Sequence, residues 1–266
     1  DDAQPDWAAA DGSYALALPQ GTYTLTVSHP GFVPQDVGLV VNGNLARNVD
    51  LTSRLNYTCL DSRDPGGPVY NWIEASDGTP HNMNDNSAFT VTVPPGFTYF
   101  GVVPPKLYAG SDGNLQLNNS ALTSYPALFM FLPFERTPNN DVMVLGENYN
   151  PAGGTQGMAY DKVVGNLTVI QWQDVQHQSG GNPETFQVIL DPADSSITVQ
   201  YKQLSWPAFT SAGLENSTGT AGQMWSFMDS AHLSNGLAVK YTPTSGNGAN
   251  WGCDHMLWLE NNPTEG

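Results

Sequence analysis

The residues best suited to chemistry are few, and they are scattered along the chain. Two cysteines, Cys59 and Cys253, and five histidines are the only thiol and imidazole groups in 266 residues. No histidine lies at metal-ligand spacing from another, although zinc sites are built from closely spaced pairs. The sequence contains no Gly-x-Ser-x-Gly, His-Glu-x-x-His or glycine-rich phosphate-binding motif. We therefore expect no catalytic residues, no bound metal and no cofactor, and we predict that the chain is not an enzyme.

One polar loop leaves a metal interpretation open. Residues 77–85 read Asp-Gly-Thr-Pro-His-Asn-Met-Asn-Asp. Oxygen ligands on a flexible loop suit Ca²⁺, but the spacing is not that of an EF-hand. Asp and Asn residues that cap turns explain the same composition.

The two cysteines form an even pair, which in an extracellular protein suggests one disulfide between Cys59 and Cys253. Such a bond closes a long loop, for which chain-entropy models give about 4–5 kcal/mol of stabilisation. The alternative is a pair of buried free thiols.

Four Asn-x-Ser/Thr sequons mark possible glycosylation sites, at Asn56, Asn118, Asn166 and Asn216. Asn118 is the most favourable of them, because it follows a short strand and lies in an Asn-Asn-Ser loop. Asn166 is less favourable, because it adjoins a predicted central strand. Together with the low cysteine and lysine content, the sequons favour an extracellular protein.

Large aromatic residues offer a second possible binding surface. Aromatic side chains at alternating strand positions either stack on carbohydrate or fill a hydrophobic core, and core packing is the commoner use. A carbohydrate platform is therefore kept only as an alternative for Trp72, Tyr99, Trp172, Trp206 and Trp225.

Charge excludes two classes of partner. The chain has 8 Lys and Arg against 25 Asp and Glu, for a net charge of −17. Such a surface repels nucleic acid and anionic membranes. No apolar run approaches the length of about 18 residues that a membrane span needs. The chain opens on Asp1 without an initiator Met or a signal peptide, so we expect a mature or trimmed product.

The elements that must position these residues are β-strands. Apolar residues alternate with polar ones over 167–172, 186–191 and 197–202, which is the period of a strand with one buried face. The connection at 191–196 is rich in Asp, Ser and Pro and predicts a turn. We expect a hairpin with a third strand beside it at the centre of a sheet. Further strands are predicted around Phe89–Val93, on both sides of a tight Ser111–Asn114 turn, and at Leu237–Tyr241.

The N-terminal segment carries a resemblance to a known family. Its motifs are Asp11-Gly-Ser-Tyr14, then Leu18-Pro-Gln-Gly-Thr-Tyr-Thr-Leu25, then Gly31-Phe32. Over residues 9 to 51 it closely resembles the carboxypeptidase regulatory-like domain, a small transthyretin-like β-sandwich of secreted proteins. Tyr14, Leu16 and Leu18 would share one face of a strand. The resemblance implies one or two earlier strands, so we expect a sandwich with an open edge.

The central segment is similar to the β-sandwich modules that follow the catalytic domain in secreted prokaryotic subtilisin-like peptidases. The motifs that carry the similarity are Gly67-Pro-Val-Tyr-Asn-Trp-Ile-Glu74 and the Gly113-Asn-Leu115 element. It implies an extracellular, prokaryotic protein from which the catalytic domain is absent.

The predicted organisation is all-β, with two antiparallel β-sandwich domains and a tail. We place an incomplete N-terminal sandwich at 1–54, a larger sandwich at 55–243, and a linker with a strand-forming tail at 244–266. In the tail, Met256, Trp258 and Glu260 fall on one face and Leu257 and Leu259 on the other, which is typical of a strand.

 The residues that we assign to this assembly strand are Met256, Leu257, Trp258 and Leu259.

Two functions fit this organisation. The first is a structural subunit that self-associates head to tail, with the tail of one copy completing the open N-terminal sandwich of the next to form a filament. The second is an accessory module of a secreted subtilisin-like peptidase, released by proteolysis, that binds a carbohydrate or protein surface.

Overall fold

The predicted all-β fold is confirmed, and the chain divides into two units. The computed structural model describes residues 13–27, 35–49, 56–118, 131–135, 137–153, 157–205, 210–229 and 231–244. These ranges contain fifteen strands in antiparallel sheets and no helix. Within them, no helical segment could cross a membrane. Unit 1 is Asp1–Arg54 and unit 2 is Leu55–Gly266, and each is described by itself.

Unit 1 is built on a two-stranded antiparallel ribbon, β1 (Gly21–Val27) with β2 (Gln35–Val41). The predicted alternation is confirmed, because the threonines of β1 are exposed while Tyr23, Leu25 and Val27 are half-buried. On β2, Val37 and Leu39 are the buried positions of the same face. The ribbon therefore has one apolar face, as a period-two pattern requires.

The strand predicted over Tyr14–Leu18 is wrong. Residues 13–19 have no strand assignment, and Tyr14, Leu16 and Leu18 are 41%, 39% and 37% exposed. The apolar alternation is present, but a strand also needs a neighbour to satisfy its backbone groups. In the described part of unit 1 the only ladder is the one between β1 and β2.

Unit 2 contains two sheets. The strand order of the seven-stranded sheet is β3-β15-β12-β11-β10-β9-β4, and that of the six-stranded sheet is β14-β13-β8-β7-β6-β5. The first sheet comprises β3 (Asn56–Asp61), β4 (Thr79–Asn82), β9 (Met158–Val164), β10 (Leu167–Val175), β11 (Glu184–Asp191), β12 (Ser196–Gln203) and β15 (Leu237–Thr244). The second comprises β5 (Ala88–Val91), β6 (Leu107–Gly110), β7 (Asn114–Gln116), β8 (Asp141–Gly146), β13 (Ser211–Glu215) and β14 (Gly222–Phe227).

The predicted central hairpin is confirmed. β11 and β12 pair antiparallel from Asp191 opposite Ser196 outward, and β10 lies on the other side of β11. Three strands near the middle of the seven-stranded sheet therefore come from the three alternating runs of the sequence. The strand predicted at Leu237–Tyr241 is also present and pairs with β12.

The two sheets of unit 2 enclose one apolar core. Trp172 and Phe186 stack in it with ring centroids 5.2 Å apart, and both are completely buried. The indole nitrogen of Trp172 donates to the carbonyl oxygen of Gly110 at 2.8 Å, so a strand of one sheet is bonded to a strand of the other. Burial of a large aromatic side chain with its polar atom satisfied is strongly stabilising.

The tight turn between β6 and β7 depends on a glycine, as the sequence predicts. Gly113 has a φ of +73°, and a Cβ there would lie 2.2 Å from the carbonyl oxygen of Leu145. Any other residue would meet both a strained backbone and a steric clash.

Candidate docking groove

Unit 1 has an open groove over the apolar face of its ribbon. The groove has a volume of about 690 Å³, and its floor is formed by Leu25, Leu39 and Val41. Two extended segments, residues 14–18 and 44–48, form its walls. This volume lies within the range of about 300–1,000 Å³ that ligand sites occupy. We refer to this floor and these two walls as the docking groove.

The walls present apolar side chains that are only partly covered. Leu16 and Leu18 from one wall and Leu45 from the other are 39%, 37% and 53% exposed. The walls are connected by the Tyr14 hydroxyl, which donates to the carbonyl oxygen of Arg47 at 2.6 Å. Exposed apolar side chains on a protein surface are usually isolated from one another, whereas here three large ones lie together at the rim of one groove.

The wall backbones also have unused hydrogen-bonding capacity. Among the described residues, no backbone–backbone hydrogen bond involves residues 14–18 or 44–48, and the Arg47 carbonyl is bonded only by the Tyr14 side chain. Extended backbone with unpaired N–H and C=O groups can accept an added strand by main-chain hydrogen bonding. The groove thus combines apolar pockets with a template for a strand.

Arg47 is the only cationic residue among the side chains that line the groove. The whole chain is strongly acidic, with a net charge of −17. A single guanidinium at the rim therefore favours a segment that carries a carboxylate.

The sequence predicts only part of this site. The alternation of Tyr14, Leu16 and Leu18 signals one apolar wall, although it misassigns the segment as a strand. The second wall, residues 44–48, has a single large apolar side chain, Leu45, and no alternation that could have revealed it. The predicted assembly strand at Met256–Leu259 lies outside the described residues and stays a prediction.

The predicted disulfide also stays a prediction. Cys59 lies on β3 opposite Tyr241 of β15 and is 1% exposed. Cys253 lies outside the described residues.

The structure ranks the glycosylation sequons differently from the sequence. Asn166 lies at the exposed two-residue turn between β9 and β10. Asn118 is half-buried, and its amide nitrogen donates to the carbonyl oxygen of Asn139 at 3.3 Å. The side-chain oxygen of Asn216 accepts hydrogen bonds from its own turn, including that from the Thr220 backbone at 3.0 Å. Of these three, Asn166 is the most accessible; Asn56 lies on β3.

The aromatic residues considered for a carbohydrate platform do not form one exposed surface. Tyr99, Trp172 and Trp225 are at most 2% exposed and belong to the core. Trp72 is half-buried, with the Lys202 ammonium 5.0 Å from its ring centroid. Trp206 lies outside the described residues.

The polar loop at 77–85 is occupied by other contacts. The Lys162 ammonium binds both carboxylate oxygens of Asp77, at 2.6 and 2.9 Å. His81 lies on β4, where its ring stacks on Phe89 and its Nε2 is 2.5 Å from Asp161. Strand β4 therefore separates Asp77 from Asp85, and the two do not share one loop. In the described ranges, no three His, Cys, Asp or Glu side chains are arranged to hold a metal ion.

Comparison with known proteins returns no match, whether with family models, curated proteins or solved structures.

Proposed function

We propose that this chain is a non-catalytic, extracellular structural subunit that assembles head to tail. In this proposal, residues Met256–Leu259 of one copy add as a strand in the docking groove of the next. The observation that carries the proposal is the docking groove itself, where partly exposed apolar side chains lie beside backbone that forms no main-chain hydrogen bond with any described residue. A donated strand supplies both main-chain partners and apolar cover.

The tail has the chemistry that the groove requires. Leu257 and Leu259 share one face of a five-residue segment that ends at Glu260. A strand of five residues is about 17 Å long, which matches the length of the five-residue walls.

The proposal requires the tail to reach the groove of another copy. Residues 245–255 separate the end of β15 from the tail. An extended chain of this length spans roughly 35–40 Å, since each residue contributes up to about 3.3–3.6 Å. Because donor and acceptor surfaces differ, the contact is heterologous and propagates into a filament unless the rotation closes a ring.

Deletion of residues 256–266 tests this proposal. We expect the truncated protein to be a folded monomer by sedimentation, whereas the full chain forms large particles. A peptide of residues 254–262 should compete with assembly of the full chain, and the same peptide with Leu257 and Leu259 replaced by Asp should not. Normal assembly of the truncated protein would refute strand addition.

The accessory-module proposal is favoured by a different observation. Unit 2 has a closed core of two sheets and needs no partner to cover it. This alternative predicts that the full chain is monomeric under every condition in which the groove remains intact.

A further inference from the structure

The carboxyl groups of Asp112 and Asp141 in unit 2 are buried and form no ion pair with any residue that the structure describes. Asp112 lies in the β6–β7 turn, Asp141 begins β8, and both are 0% exposed. None of the ion pairs among the described residues includes either of them. An ionised carboxylate without a countercharge is strongly disfavoured in a protein interior, where the neutral acid is the stable form.

Asp112 is surrounded by further acids. Its Oδ1 accepts a hydrogen bond from the Tyr149 backbone at 3.1 Å, whereas its Oδ2 is buried without a donor. The neighbouring charged groups are Asp85 and Glu147, each of which also has a buried oxygen without a donor. Two further groups act on Glu147. His177 lowers the pKa of Glu147, and the Glu184 carboxylate raises it. Burial raises the pKa of Asp112 most, the negative charges of Asp85 and Glu147 raise it further, and the result is a pKa of about 7.

Asp141 has a comparable environment on the six-stranded sheet. The register places Gln116 of β7 opposite Asp141, and Glu215 follows the Leu214–Val142 pair on the adjacent strand β13. The Gln116 side chain lowers the pKa of Asp141. Neither side-chain oxygen of Asp141, however, accepts a hydrogen bond of normal geometry from a described residue. The Tyr99 hydroxyl lies 2.8 Å from the backbone oxygen of Asp141. Burial first, and then Glu215, raise the pKa of Asp141 well above its usual range.

We propose that unit 2 is built for a mildly acidic medium, in which Asp112 and Asp141 each hold a proton in the folded state. Two separate sites on the six-stranded sheet then contain a protonated carboxyl group. At neutral pH the same positions would require an uncharged amide or an ion pair. The proposal is independent of strand addition, because it concerns the core of unit 2 alone.

The sign of the pH dependence follows from linkage. Each of these groups has a higher pKa folded than unfolded, so the folded state binds more protons. Its stabilising contribution is complete below an unfolded pKa of about 4 and is lost as the pH rises. For Asp112 the loss ends near pH 7, where its folded pKa lies. For Asp141 the loss continues to higher pH.

Other carboxyl groups have the opposite dependence and make the folded state less stable in stronger acid. Hydrogen bonds from Gln171, Ser76 and Trp72 outweigh partial burial and lower the pKa of Glu74 to about 2. Such groups stabilise the fold above their unfolded pKa of about 4 and lose that contribution in stronger acid. The two dependences are opposite in sign, so the stability that these groups contribute falls on both sides of their unfolded pKa of about 4.

The test is a set of denaturant titrations between pH 4 and 9 on the wild type, Asp112→Asn, Asp141→Asn and a control, Asp194→Asn. Asp194 is a surface carboxylate with a lowered pKa that binds Lys240 at 3.2 Å, so the control makes the same chemical substitution at a group that is ionised in both the folded and the unfolded state. Between pH 5 and 6.5 we expect each buried variant to reduce the slope of log unfolding constant against pH by about one. The control should leave the slope in this interval unchanged.

A second measurement avoids dependence on reversible unfolding. Infrared spectra of the folded wild type at pH 6 should contain the carbonyl band of protonated carboxylic acids, and each buried variant should reduce it. The proposal is overturned if the band is absent and the slopes of wild type and variants coincide. It is also overturned if Ca²⁺ raises the melting temperature of the wild type but not of Asp112→Asn, because a bound cation would then neutralise the acids.

Discussion

Units 1 and 2 cover the apolar face of a sheet in different ways. In unit 2, two sheets face each other and side chains such as Trp172 and Phe186 are completely buried. In the described part of unit 1, the same alternation yields a ribbon in which Val37 and Leu39 are buried, whereas Tyr23, Leu25 and Val27 on the same face are only half-buried. Strand periodicity therefore predicts which face of a sheet is apolar, but it does not predict how completely that face is covered.

The largest expected loss of stability is in unit 2, where the core side chains are completely buried. Trp172→Ala should destabilise unit 2 by about 3–5 kcal/mol, because it removes a completely buried indole and leaves a cavity. Denaturant unfolding monitored by near-ultraviolet circular dichroism measures this change. Val163→Ala is the control, since Val163 is 65% exposed and its truncation should change stability by less than about 0.5 kcal/mol. Equal effects of the two substitutions would contradict the assignment of the core.

The smallest effect on stability, together with a large effect on assembly, is expected for the partly exposed wall residues of unit 1. Leu16→Lys changes a wall residue that is 39% exposed, so the monomer should lose no more than about 0.5 kcal/mol. The lysine would occupy the groove and prevent an apolar strand from docking, and sedimentation should show a monomer. The control is Val40→Lys on the outward face of β2, which is 61% exposed and does not line the groove. Assembly that survives Leu16→Lys would show that the groove is not the acceptor.

The sequence predicted the centre of unit 2 well for a physical reason. Its three central strands are the runs in which apolar residues alternate most regularly, and the Asp-Pro-Ala-Asp-Ser-Ser connection fixes the hairpin between two of them. Strands β8 and β13 were not predicted. Both are buried at every position, so the alternation that marks a half-exposed strand is weak in them.

The buried acids could not be found from sequence for a related reason. Asp112 reads as an ordinary turn residue in Ser-Asp-Gly-Asn, and Asp141 follows an Asn-Asn pair that is typical of a loop. Only the packing of the turn and of the outer face of the sheet shows that both carboxyl groups are removed from water. Likewise, the sequence indicated an open edge in unit 1, but the second wall of the docking groove depends on the path of residues 44–48.

The central claim is that the groove of one copy accepts the tail of another, and complementation between two defective copies tests it most directly. One copy lacks residues 256–266, and the other carries Leu16→Lys together with an intact tail. Each alone should be a monomer, whereas a mixture should form a one-to-one heterodimer by sedimentation and native mass spectrometry. Persistence of two monomers in the mixture, or self-assembly of the tail-deleted copy, would contradict strand addition.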